Sequence, residues 1–129
     1  MNDNAQLPRI VFQIQNVDSG GAWGELAMFA EDALLMRAQE YPLTMLSGQL
    51  SAWSDRVDDN EHCAMFCLDV SGHPEFLGTF RIEPRPKGWQ FTAINEIRRH
   101  EKLFTLNECK QMVSLFREQL LNALDSFAH

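Results

Sequence analysis

Cysteine and histidine residues cluster in the middle of the chain, where they could bind a metal ion or form a redox pair. Residues 54–67 read SDRVDDNEHCAMFC, and His62, Cys63, Cys67 and His73 fall within twelve positions. Thiolate and imidazole groups are the ligands that zinc prefers in structural sites. A metal site therefore depends on whether the backbone can bring these side chains to one ion.

The local pattern predicts a β-strand over residues 62–70, because both sets of alternating residues are largely apolar, as in a central strand covered on both faces. The α-carbons of Cys63 and Cys67 would then lie about 13–14 Å apart, at about 3.3–3.4 Å per residue. Zinc ligands sit close together on a turn, and a disulfide needs α-carbons within about 7 Å. We therefore predict that the cysteines are reduced and buried, with no metal and no cofactor.

Cys109 is the other candidate nucleophile, because it falls in the first turn of a predicted helix, where the helix dipole lowers a thiol pKa. It also lies on the apolar stripe of that helix, and a catalytic thiol needs access and an orienting base. His100 is the nearest histidine in sequence. Adjacent carboxylates such as Asp58 and Asp59 diverge into water rather than share a proton. The sequence therefore predicts no catalytic residues and no enzyme.

Hydrophobic periodicity predicts the elements of the first half of the chain. Residues 9–17 alternate as a strand with one buried face. After the breaking residues 18–21, apolar residues recur at helical spacing, which predicts a helix over 23–40. Residues 43–60 are ambiguous between a loop and a short second helix, because Ser47 and Gly48 weaken the helical pattern.

The second half of the chain continues with predicted strands at 62–70, 76–83 and 89–97. Thr105 and Glu108 then form a capping box at the start of a C-terminal helix. Its apolar stripe comprises Leu106, Cys109, Val113, Phe116, Leu120, Leu124 and Phe127. We therefore predict an α+β fold, an antiparallel sheet of about four strands in the order strand-helix-strand-strand-strand-helix, with the helices packed on it.

Length, composition and charge constrain the number of domains, the location and the class of partner. A chain of 129 residues with 45% apolar residues is ample for one core, so we predict one domain over 1–129 with residues 1–7 as a loose end. The start of the chain lacks a signal peptide, and no apolar run is long enough to cross a bilayer, which favours a cytoplasmic location. The net charge of −7 argues against binding to nucleic acid or anionic membranes and favours a basic partner.

The charge is distributed unevenly along the chain. Residues 18–75 contain eleven acidic residues against two arginines, whereas residues 76–102 contain six basic residues against three acidic ones. Such asymmetry is typical of a recognition surface. A tryptophan beside carboxylates on a loop has the composition of an interface anchor with a charged rim. The predicted partner-binding residues are therefore Trp53, Asp55, Asp58, Asp59 and Glu61.

This small, acidic α+β chain, with SDRVDDNE as its acidic element and Trp53 as an anchor, resembles the immunity proteins of bacterial contact-dependent inhibition and related polymorphic toxin systems. The resemblance implies a cytoplasmic inhibitor that binds a cognate toxin domain, commonly a basic nuclease, and blocks its active site. It also implies an electrostatic mechanism, in which carboxylates take the place of phosphates in a basic cleft.

Two other classes of protein stay open at this stage. Secretion chaperones, or adaptors, are also small, acidic and α+β, although they usually open with a helix rather than with a strand such as RIVFQIQ. A small anion-binding enzyme could instead use Arg81, Arg98 or Arg99 to hold its substrate. The sequence leaves the partner's identity and the oligomeric state open.

Overall fold

The chain folds as an α+β protein in a computed structural model that describes residues 7–31, 33–60, 66–69, 78–95 and 99–127. The elements in chain order are β1 (Arg9–Asp18), β2 (Gly21–Ala30), β3 (Ala33–Pro42), α1 (Leu43–Asn60), β4 (Phe66–Asp69), β5 (Thr79–Arg85), β6 (Gly88–Ile94), β7 (Arg99–Phe104) and α2 (Leu106–Phe127). Among these residues the strands form two antiparallel sheets, β1-β2-β3 and β4-β5-β6-β7.

The first sheet confirms the predicted first strand and replaces the helix predicted over 23–40. β2 and β3 pair there as antiparallel strands instead, with Ala30 opposite Ala33. Apolar residues occur on both faces of β2, so its sequence also satisfies helical spacing, and strand pairing on both sides decides the outcome. The prediction of a single sheet of about four strands is therefore wrong, although the α+β class is confirmed.

Helix α1 occupies the segment whose structure the sequence left ambiguous. Its buried positions repeat every three or four residues. They are Leu43, Leu46, Leu50, Trp53 and Val57. Gly48 lies on the exposed side, where it leaves the buried stripe intact. The segment is a full helix because this stripe packs on the core, which outweighs a weak local propensity.

The second sheet contains the strands predicted in the second half of the chain and one that was missed. β5 and β6 correspond to the predicted strands at 76–83 and 89–97, and β4 lies within the one predicted at 62–70. Residues 61–65, 70–77 and 96–98 lie outside the described part of the chain. β7 was missed because its sequence, RHEKLF, carries charges on both alternating sets of positions. It forms a strand because it pairs along β6 from Ile94 to Trp89.

Helix α2 confirms the predicted C-terminal helix and its capping box. The Thr105 backbone N–H donates to Glu108 Oε1 at 2.9 Å, and the Glu108 backbone N–H donates to Thr105 Oγ1 at 3.1 Å. Two backbone donors that lack a helical partner are thereby satisfied. The helix buries Cys109, Met112, Val113, Phe116 and Leu120. Within the described chain, neither helix is long and apolar enough to cross a membrane.

The core lies between the inner faces of the two sheets and the two helices. Trp53 of α1 meets Trp89 of β6 edge to face, with ring centroids 5.8 Å apart. Phe12 of β1 meets Phe116 of α2 in the same geometry, also at 5.8 Å. Buried residues from both sheets and both helices belong to one continuous cluster. Each helix thus packs against a strand through an aromatic pair.

Replacing Thr105 with alanine should lower the free energy of unfolding by about 1 kcal/mol, because the first turn of α2 loses the hydroxyl that accepts from Glu108. Ser114→Ala, at an exposed position inside the same helix, is the matched control and should change stability little. Urea denaturation measures both. Equal midpoints for the two variants would contradict a stabilising role for the cap.

Candidate interaction site

The structure places the predicted anchor, Trp53, in the core rather than on the surface. Its side chain is 0% exposed on the inner side of α1, and its ring packs against Trp89. The prediction placed Trp53 on a weakly structured loop, whereas the chain around it is helical. A side chain without accessible surface cannot anchor a partner on the folded protein. We therefore assign Trp53 to folding and not to binding.

The predicted acidic residues that the structure describes lie on the outward side of α1. Asp55 and Asp58 are exposed, and Asp58 forms an ion pair with Lys110 of α2. The backbone of Asp59 belongs to α1, but its side chain lies outside the described part of the molecule, as does the whole of Glu61. These carboxylates were expected on a loop; the described ones instead project from a helix whose opposite side is buried.

The basic segment lies on the other side of the second sheet. Arg81 and Arg99 occupy the outer face, opposite the face on which Trp89 meets α1. Arg81 Nε lies 3.6 Å from Glu83 Oε1, and Arg99 pairs with Glu101. The hydrogen bond and charge of Arg99 lower the pKa of Glu101. These described arginines are matched by carboxylates, which disfavours an anion site here; Arg98 lies outside the described residues.

The structure describes the side chain of one of the three cysteines, Cys109. Cys109 is a free, buried thiol, and its burial, followed by the charge of Glu108, raises its pKa to about 12. A thiol with such a pKa is a poor nucleophile at neutral pH. Of the other two cysteines, Cys63 lies outside the described residues and Cys67 is described only as backbone in β4. The described residues contain no cluster of three or more potential metal ligands.

A concavity of about 660 Å³ lies beside the β5-β6 turn and the start of α2. Its lining includes Arg85 and Lys87, so it could suggest an anion site. However, the capping box already occupies the N-terminus of α2 and places the Glu108 carboxylate there. Arg85 also lies 3.5 Å from a Glu83 carboxylate oxygen. Arg81 shares that carboxylate, so the positive charge of this concavity is compensated in part.

Sequence reasoning missed a surface site around Trp23 in the first sheet. Trp23 is 37% exposed and lines a concavity of about 320 Å³. Gln15, Asn16 and Glu40 complete the lining, so that one aromatic ring faces two amides and one carboxylate. A partly exposed tryptophan with a polar rim is the composition expected of an interface anchor. Trp23, and not Trp53, therefore has a side chain that is accessible as a surface anchor.

Two irregularities in strand pairing shape this site. The β1-β2 register shifts between Ile14 and Asn16, which makes Gln15 the extra residue of β1. The β2-β3 register shifts between Gly24 and Leu26, opposite Gln39 and Glu40 of β3. Bulges re-aim side chains and are over-represented next to functional sites. Here they flank the Trp23–Gly24 segment from both neighbouring strands.

The backbone at the site is also unusually constrained. A Cβ atom on Gly24 would lie 2.0 Å from the Gln13 carbonyl oxygen, so only glycine allows the two strands to approach in this way. Glu40 has a φ angle of 53°, in the left-handed region that non-glycine residues rarely adopt. Such strain costs about 1–3 kcal/mol and persists where the surrounding structure imposes it. A glycine inside a strand was the available sequence signal, but the helical interpretation of 23–40 concealed it.

The Trp23 site is suited to binding rather than to catalysis. Glu40 is its one ionisable lining residue, and none of the hydrogen bonds or ion pairs within the described chain involves its carboxylate. A general acid or base normally works with a nucleophile or a group that orients it. The site offers stacking area and hydrogen-bonding groups, which are the means of recognition.

No protein-family model matches the chain, and neither a curated protein nor a solved structure matches it.

Gly24→Ala should destabilise the protein by at least about 2 kcal/mol, because the added methyl group collides with the backbone of β1. Gly48→Ala on the exposed side of α1 has open space around the new methyl group and should stabilise the protein by about 1 kcal/mol. Thermal denaturation of both variants measures the difference. A neutral Gly24→Ala would show that β1 and β2 do not approach as described.

Glu40→Gly should raise the free energy of unfolding by about 0.5–1 kcal/mol, because glycine adopts the left-handed conformation without the Cβ penalty but loses more backbone entropy on folding. Glu31→Gly is the matched control, since Glu31 has a φ angle of 56° at the β2-β3 turn. Both variants remove one carboxylate. Chemical denaturation should show a gain for both, and a loss at position 40 would indicate that its side chain stabilises the fold.

Proposed function

We propose that the protein is a cytoplasmic inhibitor that binds a basic toxin domain, such as a nuclease, and blocks its active site, as immunity proteins of polymorphic toxin systems do. The observation that carries the proposal is the exposed acidic side of α1, with Asp55 and Asp58 outward and the buried stripe fixed in the core. This arrangement presents carboxylates on a rigid element rather than on a loop.

Charge supports a basic partner. The net charge of the chain is −7, and the described arginines of the second sheet are paired on its outer face, away from α1. Carboxylates on one side of a molecule attract a basic surface over a distance of about 8–10 Å at physiological salt. Arg56 is also exposed on α1 and Lys110 pairs with Asp58, so the steering charge that we propose for this helix comes mainly from Asp55, Asp59 and Glu61.

The internal chemistry also supports binding over catalysis. The described thiol, Cys109, is buried with a raised pKa, and the described arginines of the candidate anion site are matched by carboxylates. An inhibitor needs a stable scaffold and an accessible surface, and the continuous core joining both sheets to both helices supplies the scaffold. The partner-binding surface that we propose comprises Asp55, Asp58, Asp59 and Glu61.

Neutralising the four acidic residues together, by Asp→Asn at 55, 58 and 59 and Glu→Gln at 61, should slow association with the toxin domain at low salt. Dissociation should change less, because long-range attraction acts mainly on encounter. The measurement is surface-based binding kinetics against the toxin domain encoded directly upstream of this gene, at low and high salt. The difference between variant and parent should shrink as salt rises, since salt screens exposed charges.

The matched control removes four exposed acidic residues elsewhere, by Asp18→Asn, Glu31→Gln, Glu118→Gln and Asp125→Asn. It has the same net charge as the first variant, so it should retain faster association if the position of the carboxylates matters. Equal rates for both variants would assign steering to net charge alone. A neutralised α1 variant that associates at the parental rate and still protects cells would overturn the proposal, as would a gene without an adjacent toxin.

A further inference from the structure

We propose that the Trp23 concavity receives a lysine or arginine side chain of the partner protein, an inference that depends on the proposed function for the source of that side chain. The site consists of the exposed part of the Trp23 ring, the Glu40 carboxylate and the amides of Gln15 and Asn16. It lies in the first sheet, apart from the acidic side of α1, and so adds a contact of a different chemical kind.

The aromatic ring favours a cation. A guanidinium or ammonium group over the face of an indole is attracted by the negative face of the ring, and tryptophan is the best of the aromatic residues for this interaction. The other two tryptophans cannot take this role, since Trp53 and Trp89 are 0% and 5% exposed. Trp23 is thus the tryptophan whose ring the solvent and a partner can reach.

The charge of the residues that line the concavity also favours a lysine or arginine side chain. Glu40 is the only charged residue among the four that line the concavity, and its carboxylate has no ion-pair partner in the described chain. An apolar side chain would remove water from this carboxylate without replacing its hydrogen bonds, which is costly. A basic side chain supplies both the charge and the donors, and the amide oxygens of Gln15 and Asn16 can accept further hydrogen bonds.

The size of the concavity is sufficient for one long side chain. Its volume of about 320 Å³ is at the lower end of the range for small-molecule sites, which is about 300–1,000 Å³. The site is also preformed, because bulges in β1 and β3 flank it and Gly24 fixes the approach of β1 to β2. A preformed site loses little conformational entropy on binding.

The experiment follows the indole N–H signals of ¹⁵N-labelled protein during titration with N-acetyl-arginine amide and N-acetyl-lysine amide at constant ionic strength. The three tryptophans give three such signals, and the one missing in Trp23→Phe identifies Trp23. We expect this signal to shift and to approach saturation at about 10–100 mM probe, as a single exposed cation–π contact with one carboxylate allows. The buried Trp53 and Trp89 signals should stay in place.

Two controls distinguish recognition of the positive charge of the probe from nonspecific binding. N-acetyl-citrulline amide has the shape of the arginine probe without its charge and should produce no saturable shift. Glu40→Gln should weaken binding of the arginine probe about fivefold, whereas Glu31→Gln, with the same charge change and a similar φ angle, should leave it unchanged. The pair therefore reports on the carboxylate at the site rather than on net charge.

An unmoved Trp23 signal, an equal response to the citrulline probe, or equal weakening by the two glutamine variants would each overturn the inference. These outcomes are independent of the proposed inhibition. If the protein binds and inhibits the toxin domain but the Trp23 indole signal does not shift with the cationic probes, only this inference is contradicted. If the Trp23 indole signal shifts with the probes but the protein binds no toxin domain, the cation site is supported and the proposed function is contradicted.

Discussion

The edge-to-face contact between Trp53 and Trp89 is the interaction on which the arrangement of this molecule depends. It fixes α1 to the second sheet, while the start of the same helix is held to the first sheet, where the Ala22 backbone N–H donates to Thr44 Oγ1 at 2.9 Å. Helix α1 therefore bridges the two sheets. Because its inner side is fully buried, its outer side has a defined orientation, and the carboxylates of Asp55 and Asp58 are presented by a rigid scaffold.

Sequence patterns were sufficient where one local signal determines an element. β1 alternates, and α2 combines a capping box with a long apolar stripe, so both were predicted close to their observed bounds. The β2-β3 hairpin was not predictable in this way, because residues 21–42 satisfy helical spacing as well as strand pairing. Only the neighbouring strands, which a local window does not contain, determine which pattern prevails. The charged sequence of β7 likewise conceals a strand that pairing with β6 creates.

Local sequence patterns also failed to identify which tryptophan is exposed at the candidate site. Trp53 stands beside acidic residues in the sequence, and this proximity suggested a surface anchor, but helical phase turns its ring inward and the carboxylate of Asp55 outward. Trp23 stands among small and apolar residues, and its exposure follows from bulges in the strands on either side. Composition could therefore predict that an aromatic anchor and acidic groups belong to the surface. It could not predict which tryptophan is exposed, because that depends on register.

The two surface features complement each other in physical terms. Exposed carboxylates act over distance and mainly change the rate of encounter, whereas a partly buried aromatic contact acts at short range and mainly changes the rate of dissociation. Trp23 lies opposite Pro42, immediately before α1, and Asp58 lies near the other end of that helix. At about 1.5 Å per residue, the axial separation between Pro42 and Asp58 is roughly 24 Å, which is comparable to the width of a standard interface of about 800 Å² per partner. If one partner contacted both features, the acidic side of α1 would attract it and the Trp23 site would retain it.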